Sequence, residues 1–374
     1  MSAVTIVAVN NKAELDRFIR LPMRLYKNDP AYIPPLLMER AEALSPKKNP
    51  YFEHAETQFF LAVRDGRDVG RISAQIDQLV QDPDIGHFGM LAAEDDPAVF
   101  AALFEAAEGW LKSRGKHHVI GPFSLSINEE TGLLVDGFDT PPVMLMGHDP
   151  RYADPRVQAC GYAKAKDVIA YDYDLDHDLP AAARKLIDKR KPAAMIVRNL
   201  DMKRYDEEFN RVAEVFNDAW SENWGFLPFT PHEMVHMAKS LRPLIDPKKV
   251  GIVEMNGQIV GFGVLLPNLN EAIRDFNGSL LPFNWLKLLL RIKKTKTARV
   301  PLMGVRRSLK AGMLGAVVPF LIIDTMRNGA RAAGMQKVEL SWILEDNRPM
   351  RHIIESLGAR PYKTYRVYEK RLAR

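Results

Sequence analysis

The sequence predicts an α/β protein built from two tandem copies of one unit, each a mixed sheet flanked by helices. Two internal matches carry that expectation. Residues 60–71 and 251–262 each read as an apolar strand, an Asp-Gly or Asn-Gly turn, and a Val-Gly entry into a second strand. Such dipeptides are strong hairpin signals, because a type I′ turn needs positive φ at both central positions. Residues 160–172 and 357–369 each close a helix on a glycine, Gly161 or Gly358, and continue into a tyrosine-bearing strand. A glycine at that place is the common helix stop. The two matches lie at nearly equal offsets along the chain, as a duplication requires.

Length and composition agree with two domains. The chain has 374 residues, 47% hydrophobic and 26% charged, against ~150 residues for a typical domain. That excludes a disordered chain, a collagen-like fibre and a small disulfide scaffold. The single cysteine, Cys160, rules out an intrachain disulfide and a cysteine-based zinc site. The longest apolar run, Met313 to Ile323, falls short of the ~20 residues of a spanning helix. Residues 1–15 lack the basic and apolar regions of a signal peptide. The expected location is therefore cytoplasmic.

The first copy is placed at 1–178, a linker helix at 179–193 and the second copy at 194–374. Pro180 and Pro192 bracket the charged linker, as helix-bounding prolines do. In the second copy a strand covers Ala194 to Val197. A helix covers Tyr205 to Ala219, with Phe209, Val212, Ala213 and Phe216 at 3–4 spacing. A helix starts at Thr230 and a hairpin spans Val250 to Leu266. A segment is inserted at 268–297. A strand at Arg299–Val305, a glycine-bearing turn and a helix through Ala333 follow. A strand at Lys337–Ile343, a helix at Pro349–Leu357 and a strand at Tyr362–Tyr368 close the copy.

The turn after Val305 is Arg306-Arg307-Ser308-Leu309-Lys310-Ala311-Gly312-Met313-Leu314-Gly315. Glycines expose backbone N–H groups, the next helix N-terminus adds partial positive charge, and three cations lie in the same stretch. That combination suits a pyrophosphate; a solvated strand-to-helix turn is the structural alternative. In the first copy Ile85–Met90 reads as the equivalent strand. It runs into Leu91-Ala92-Ala93-Glu94-Asp95-Asp96-Pro97, with three acids and no glycine. An acidic turn repels phosphate, so one such site is expected, in the second copy.

Beyond it lie a strand around Val338-Glu339-Leu340, then Glu345-Asp346-Asn347-Arg348-Pro349-Met350, then a helix ending Ser356-Leu357-Gly358-Ala359. This succession resembles the GNAT superfamily of CoA-dependent N-acyltransferases. There the strand–glycine loop–helix unit holds the CoA pyrophosphate, and an Asn-headed helix follows the next strand. The resemblance implies acyl-CoA as co-substrate, with no permanently bound cofactor and no metal. It implies CoA contacts from Val305, Arg306, Arg307, Lys310, Gly312, Leu314, Gly315 and Asn347. Leu314 departs from the family loop, which has a small residue there. Ile354 departs further, since many members carry at that position a tyrosine that protonates the leaving thiolate.

Over nearly its whole length the chain also resembles a long bacterial subgroup, the bacterial ceramide synthases and their unassigned relatives. The residues that suggest this are Gly121-Pro122-Phe123-Ser124, Asn128-Glu129, Gly132 to Phe138 and Glu345 to Met350. The subgroup implies transfer of a fatty acyl group to the amine of a sphingoid base by direct aminolysis. A backbone donor around Met303–Val305 would hold the oxyanion. Glu345 is the first candidate for the proton acceptor and His352 the second. The alternatives are a Fem-type aminoacyl transferase and a non-catalytic acyl-CoA or lipid-binding protein.

Charge adds a partner. Between Asp275 and Asp324 there is no acidic residue, while the window holds Lys287, Arg291, Lys293, Lys294, Lys296, Arg299, Arg306, Arg307 and Lys310. Leu280 to Lys294 combines an apolar run, Trp285 and a basic end, the composition of an interfacial helix. Residues 280–296 are expected to meet an anionic membrane on its inner face; a helix packed on its own domain is the alternative. Nucleic acid is not expected, because the basic window lacks interleaved aromatics. His232-Glu233-x-x-His236 matches a zinc-protease pattern but also reads as the start of a helix, Thr230 as N-cap and Glu233 as its capping-box partner. Asp172 to Asp178 resembles a calcium loop without its glycine or final Glu.

Overall fold

The structure, a computed structural model, describes residues 2–190, 194–310 and 312–373. Its strands are β1 (Thr5–Ala8), β2 (Ala55–Arg64), β3 (Arg67–Asp77), β4 (Ile85–Ala93), β5 (His118–Gly121), β6 (Phe123–Ser124), β7 (Glu130–Thr131), β8 (Leu133–Asp136) and β9 (Ala163–Asp174). They continue with β10 (Met195–Asn199), β11 (Val250–Met255), β12 (Gln258–Pro267), β13 (Thr297–Val305), β14 (Lys337–Leu344) and β15 (Arg360–Arg371). The chain divides into two compact units. The first holds Met1–Ile169, Ile273–Trp285 and Tyr362–Arg374; the second holds Ala170–Ala272 and Leu286–Pro361.

In the first unit the strands run in the order β1-β2-β3-β4-β5-β15, with β8 also on β15. The β2–β3 turn has the left-handed pair foreseen in the sequence, Asp65 at φ 51° and Gly66 at 71°. The helix Pro97–Lys112 begins at Asp96, whose carboxylate accepts the Ala98 N–H. Its inner face, Val99, Phe100, Leu103, Phe104, Ala107 and Leu111, is buried against Ile72, Phe88 and Val119. Each valine, leucine and phenylalanine among them contributes ~1.5–3 kcal/mol by leaving water. The acids of the 91–97 turn are engaged: Arg64 pairs with Asp96, Arg67 with Glu94 and Arg156 with Asp95.

In the second unit the order is β14-β13-β12-β11-β10. The helix Tyr205–Trp220 buries Val212, Val215, Phe216 and Ala219; the helix Met313–Ala332 buries Val317, Val318, Ile322 and Met326. Two strand glycines set how closely the latter lies on the sheet. A Cβ at Gly261 would stand 2.6 Å from Val318 Cγ1, and one at Gly263 2.5 Å from Ile322 Cγ2. The linker stretch forms a helix over Ala181–Arg190, and residues 191–193 lie outside the described residues.

Long-range pairing departs from the simple tandem division. The last strand was expected to finish the second copy. From Thr364 onward β15 instead pairs antiparallel with β8 and β5, as in Thr364↔Asp136 and Tyr368↔Gly121. Its side chains are tied there as well: Lys363 Nζ donates to the carbonyls of Gly137 and Thr140, and Arg366 pairs with Asp167. Ile273–Trp285 of the insertion likewise belongs to the first unit, where the Leu37 N–H donates to the Gly278 carbonyl.

Candidate active site

The candidate site starts from a divergence of two parallel strands. β13 and β14 pair from Thr297↔Lys337 to Val300↔Leu340. Beyond that, β13 continues to Val305 and β14 to Leu344 with no further pairs between them. On its other edge β13 stays bonded to β12 as far as Gly261↔Val305, and the register shifts where the divergence begins, between Val264 and Leu266. The Arg306 N–H donates to the Val260 carbonyl at 2.8 Å, on the β12 side. Donors alternate sides along a strand. The N–H groups of Val305 and Met303 therefore face the opening, where the sequence reading placed the oxyanion donor.

At the mouth, Gly312 is the N-cap of the helix Met313–Ala332, in extended backbone at φ −125° and ψ 177°. Among the described residues, a Cβ there would meet nothing nearer than the Leu309 carbonyl at 4.0 Å. The first N–H groups of a helix have no intrahelical acceptor, so they and the macrodipole form a ready anion site. Two of the three loop cations are committed to the protein. Arg306 Nε donates to the Ile259 carbonyl, and its guanidinium stands 3.7 Å from Glu214. Arg307 donates its backbone N–H to Asp218 at 2.8 Å and Nη1 to Glu222 at 2.8 Å. Ala311 and the side chains of Lys310 and Leu314 lie outside the described residues; Gly315 is in the first turn of the helix.

Asn347 caps the helix Arg348–Ser356, its side-chain oxygen accepting the Met350 N–H at 3.3 Å. Glu345 is half-buried at the end of β14, and its carbonyl accepts from Arg351 at 2.8 Å. His352 is exposed on the helix, and Ile354 is buried in the core. The tyrosine expected at that position is replaced by an aliphatic packing residue. Another tyrosine reaches the same helix from β9. Tyr171 donates its hydroxyl to Glu355 at 2.8 Å and accepts from Arg351 Nε at 2.9 Å. Burial, followed by the bond to Glu355, holds its phenol above the usual range.

One constellation was missed in the sequence. Arg299, Glu339 and Ser341 are all buried, and Arg299 and Glu339 are register partners beside the divergence. Arg299 Nε donates to Ser341 Oγ at 2.9 Å and lies 4.0 Å from a Glu339 carboxylate oxygen; Ser341 donates to Glu339. Buried charge needs a partner and often marks chemistry. The signal available was the alternation Glu339-Leu340-Ser341, which puts two polar residues on one face of an apolar strand.

Other features resolve into structure. In the first unit β4 and β5 also pair parallel, from Ile85↔His118 to His87↔Ile120. The main chain then closes the space beyond. A Cβ at Gly89 would stand 1.7 Å from the Phe123 carbonyl, Gln75 Nε2 donates to the carbonyls of Phe123 and Leu125, and Leu125 is fully buried. Glu233 completes a capping box with Thr230, while His232 and His236 are exposed. Asp172 pairs with Lys337, and Asp178 with Arg327 and Arg331. Trp220 stacks on Phe216 and lies under Gly304, where a Cβ would be 2.4 Å away. A cleft of about 620 Å³ beside β10 is lined by Arg198, Arg211, Glu208 and Glu254. These pair with one another, so it offers a ligand little uncompensated charge.

The divergent strands, the glycine-capped helix at their mouth and the Asn-headed helix together define a tandem GNAT N-acyltransferase. Solved structures agree on the fold. A tandem GNAT protein from the clavulanic acid biosynthesis pathway superposes with TM-score 0.58 at 13% identity, covering 99% of both chains. A GCN5-related N-acetyltransferase from Sphaerobacter thermophilus gives 0.52 at 14%, over 98% of this chain and 95% of that one. No family model matches. Among related sequences, the bacterial ceramide synthase of Caulobacter vibrioides is 54% identical over 99% of this chain and 98% of its own. Protein YghO of Escherichia coli is 45% identical over 97% and 94%. The chain belongs to the bacterial ceramide synthase family.

Proposed function

We propose that the protein transfers a long acyl chain from acyl-CoA to the amine of a sphingoid base. The observation that carries this reading is the opening between β13 and β14 with a helix N-terminus at its mouth, in a chain 54% identical to a ceramide synthase throughout. CoA binds in the second copy only, its pyrophosphate on the Gly312–Gly315 turn. The first copy, degenerate for CoA, serves the acceptor. This role is supported by the main chain that fills its equivalent opening.

The acceptor arrives as an ammonium and must lose a proton before it can attack. A water held by Glu345 receives that proton, with His352 the alternative acceptor. The nitrogen then attacks the thioester carbonyl; the C–N bond forms and the C–S bond breaks. The oxyanion is held by the N–H groups of Met303 and Val305. As the amide forms, the nitrogen gives its second proton to Ser341 Oγ, whose hydroxyl proton passes to Glu339. The thiolate leaves and is protonated by solvent, since Ile354 supplies no acid. The direct test is mass-spectrometric detection of N-acyl product from purified protein, long-chain acyl-CoA and sphinganine.

The insertion carries the protein to its lipid substrates. In the helix Asn284–Arg291 and its approach, Leu281 and Phe283 are 72% and 71% exposed, and Trp285, Leu286, Leu289 and Leu290 are exposed too. Leu288 and Ile292 are half-buried, while Lys287, Lys293 and Lys294 face solvent. An outward apolar face rimmed by cations fits an anionic bilayer. Among the described residues no helix is long and apolar enough to cross a membrane, so the contact is peripheral. Replacing Lys287, Arg291, Lys293 and Lys294 by Gln should weaken binding to anionic vesicles by ~1 kcal/mol per cation, with binding falling as salt rises. Wild-type protein that ignores such vesicles at low salt would make this a packing helix.

A further inference from the structure

The helix Tyr205–Trp220 carries in its last turn an acid that its own stability does not call for. Asp218 stands near the end where the macrodipole disfavours negative charge, and aspartate is a poor helix former. Its carboxylate is directed at another element. Oδ2 accepts the main-chain N–H of Arg307 at 2.8 Å, while Oδ1 stands 3.5 Å from Arg307 Nε. The Arg307 guanidinium has a closer partner in Glu222, at 2.8 Å. The close contact of Asp218 is therefore with backbone rather than with a side chain.

Two features make that contact an anchor. The end of the helix is seated on β13. A Cβ at Gly304 would stand 2.4 Å from Trp220 and 3.1 Å from the Ala219 Cβ, so glycine is what admits this approach. Asp218 lies in the same helical turn, and its distance from the loop is set with it. From Arg307 the loop then reaches the next helix through a run of hydrogen bonds. The Arg306 N–H donates to the Val260 carbonyl at 2.8 Å, the Leu309 N–H to the Arg306 carbonyl at 3.0 Å and the Gly312 N–H to the Leu309 carbonyl at 3.2 Å. Asp218 thus pins the start of a short bonded path that ends at Gly312, the N-cap of the helix Met313–Ala332.

Backbone donors grip an anion only at hydrogen-bond distance. A turn that holds the competent position part of the time binds more weakly by that fraction. We propose that Asp218 is a positioning residue of the acyl-CoA site: by accepting the Arg307 N–H it holds the turn where the Gly312–Gly315 stretch meets the pyrophosphate. The role rests on the acyl-CoA reading of that turn and deepens it. Asp218 acts through the main chain and touches no phosphate.

The test is titration of the full-length protein with a fluorescent acyl-CoA, alongside steady-state kinetics. Asp218→Ala should weaken acyl-CoA binding about tenfold, the order of one hydrogen bond to a charged acceptor. KM for acyl-CoA should rise to match, with kcat at saturation unchanged. Asp218→Asn keeps an oxygen that can accept the Arg307 N–H. It should bind no more weakly than wild type, because the bond is kept and a negative charge near the phosphates is gone. The two variants carry the same charge and Glu222 still holds the guanidinium in both, so their difference reads the N–H bond. Alanine is the better helix former, so Asp218→Ala should melt near wild type. Asp218→Ala binding acyl-CoA as wild type does would overturn the role and leave the acyl-CoA site intact. Asp218→Asn falling as far as Asp218→Ala would overturn it too, since charge would then be responsible. A wild-type protein that binds no acyl-CoA would overturn the site and this role with it.

Discussion

Replacing Gly312 by Trp should abolish acyl-CoA binding, a loss of at least a hundredfold, while the melting temperature holds. The two halves of that result have separate causes. Gly312 sits in extended backbone open to any residue, and among the described residues its Cβ direction is empty to 4.0 Å. The fold therefore has room for a side chain. A pyrophosphate on the N-terminal turn of the helix Met313–Ala332 would not, because the backbone N–H groups must reach the phosphate oxygens directly. The same substitution in a turn that only links strand and helix would leave acyl-CoA affinity unchanged. Titration of wild type and variant with a fluorescent acyl-CoA separates the two outcomes. The commitment of Arg307 to Asp218 and Glu222 sharpens the point, since backbone rather than that guanidinium must supply the grip.

Glu339→Gln should lower kcat by ~10²–10⁴, the range of a positioned proton acceptor. The amide can still accept from Ser341 but cannot take its proton. The substitution also leaves Arg299 without its carboxylate, and breaking a buried pair in this way costs ~3–5 kcal/mol. Ser341→Ala is the milder companion, removing the hydroxyl that accepts from Arg299 and donates to Glu339. Turnover within twofold of wild type in both variants, with melting curves recorded alongside, would remove the relay. Glu345→Gln should slow turnover less, because a bound water can pass the first proton to solvent.

Local chemistry was legible in the sequence. The Asp65-Gly66 and Asn256-Gly257 turns take the positive φ angles that their residues announce, and Gly161 and Gly358 end their helices at φ 87° and 90°. Thr230 and Glu233 form the capping box that their spacing announces. What the sequence hid is long-range. Nothing in Tyr362–Tyr368 says that this strand will pair with β5 and β8, since a strand's partner depends on which edge the rest of the chain leaves open. The Arg299–Glu339 pair was hidden for the same reason, its two members lying on separate strands that a long helix connects. Arg307 reads as ligand-facing in the sequence, because its acids, Asp218 and Glu222, lie on and after a distant helix.

The central claim is that this chain joins long acyl groups to a long-chain amine. Its most direct measurement is a competition in which purified protein receives sphinganine with equal concentrations of acetyl-CoA and a long-chain acyl-CoA, and the N-acyl products are quantified by mass spectrometry. Each buried methylene is worth ~0.8 kcal/mol, so even partial burial of the tail predicts a long-chain amide in excess by orders of magnitude. Acetylated amine as the main product, or no amide under conditions where acyl-CoA is bound, would contradict it.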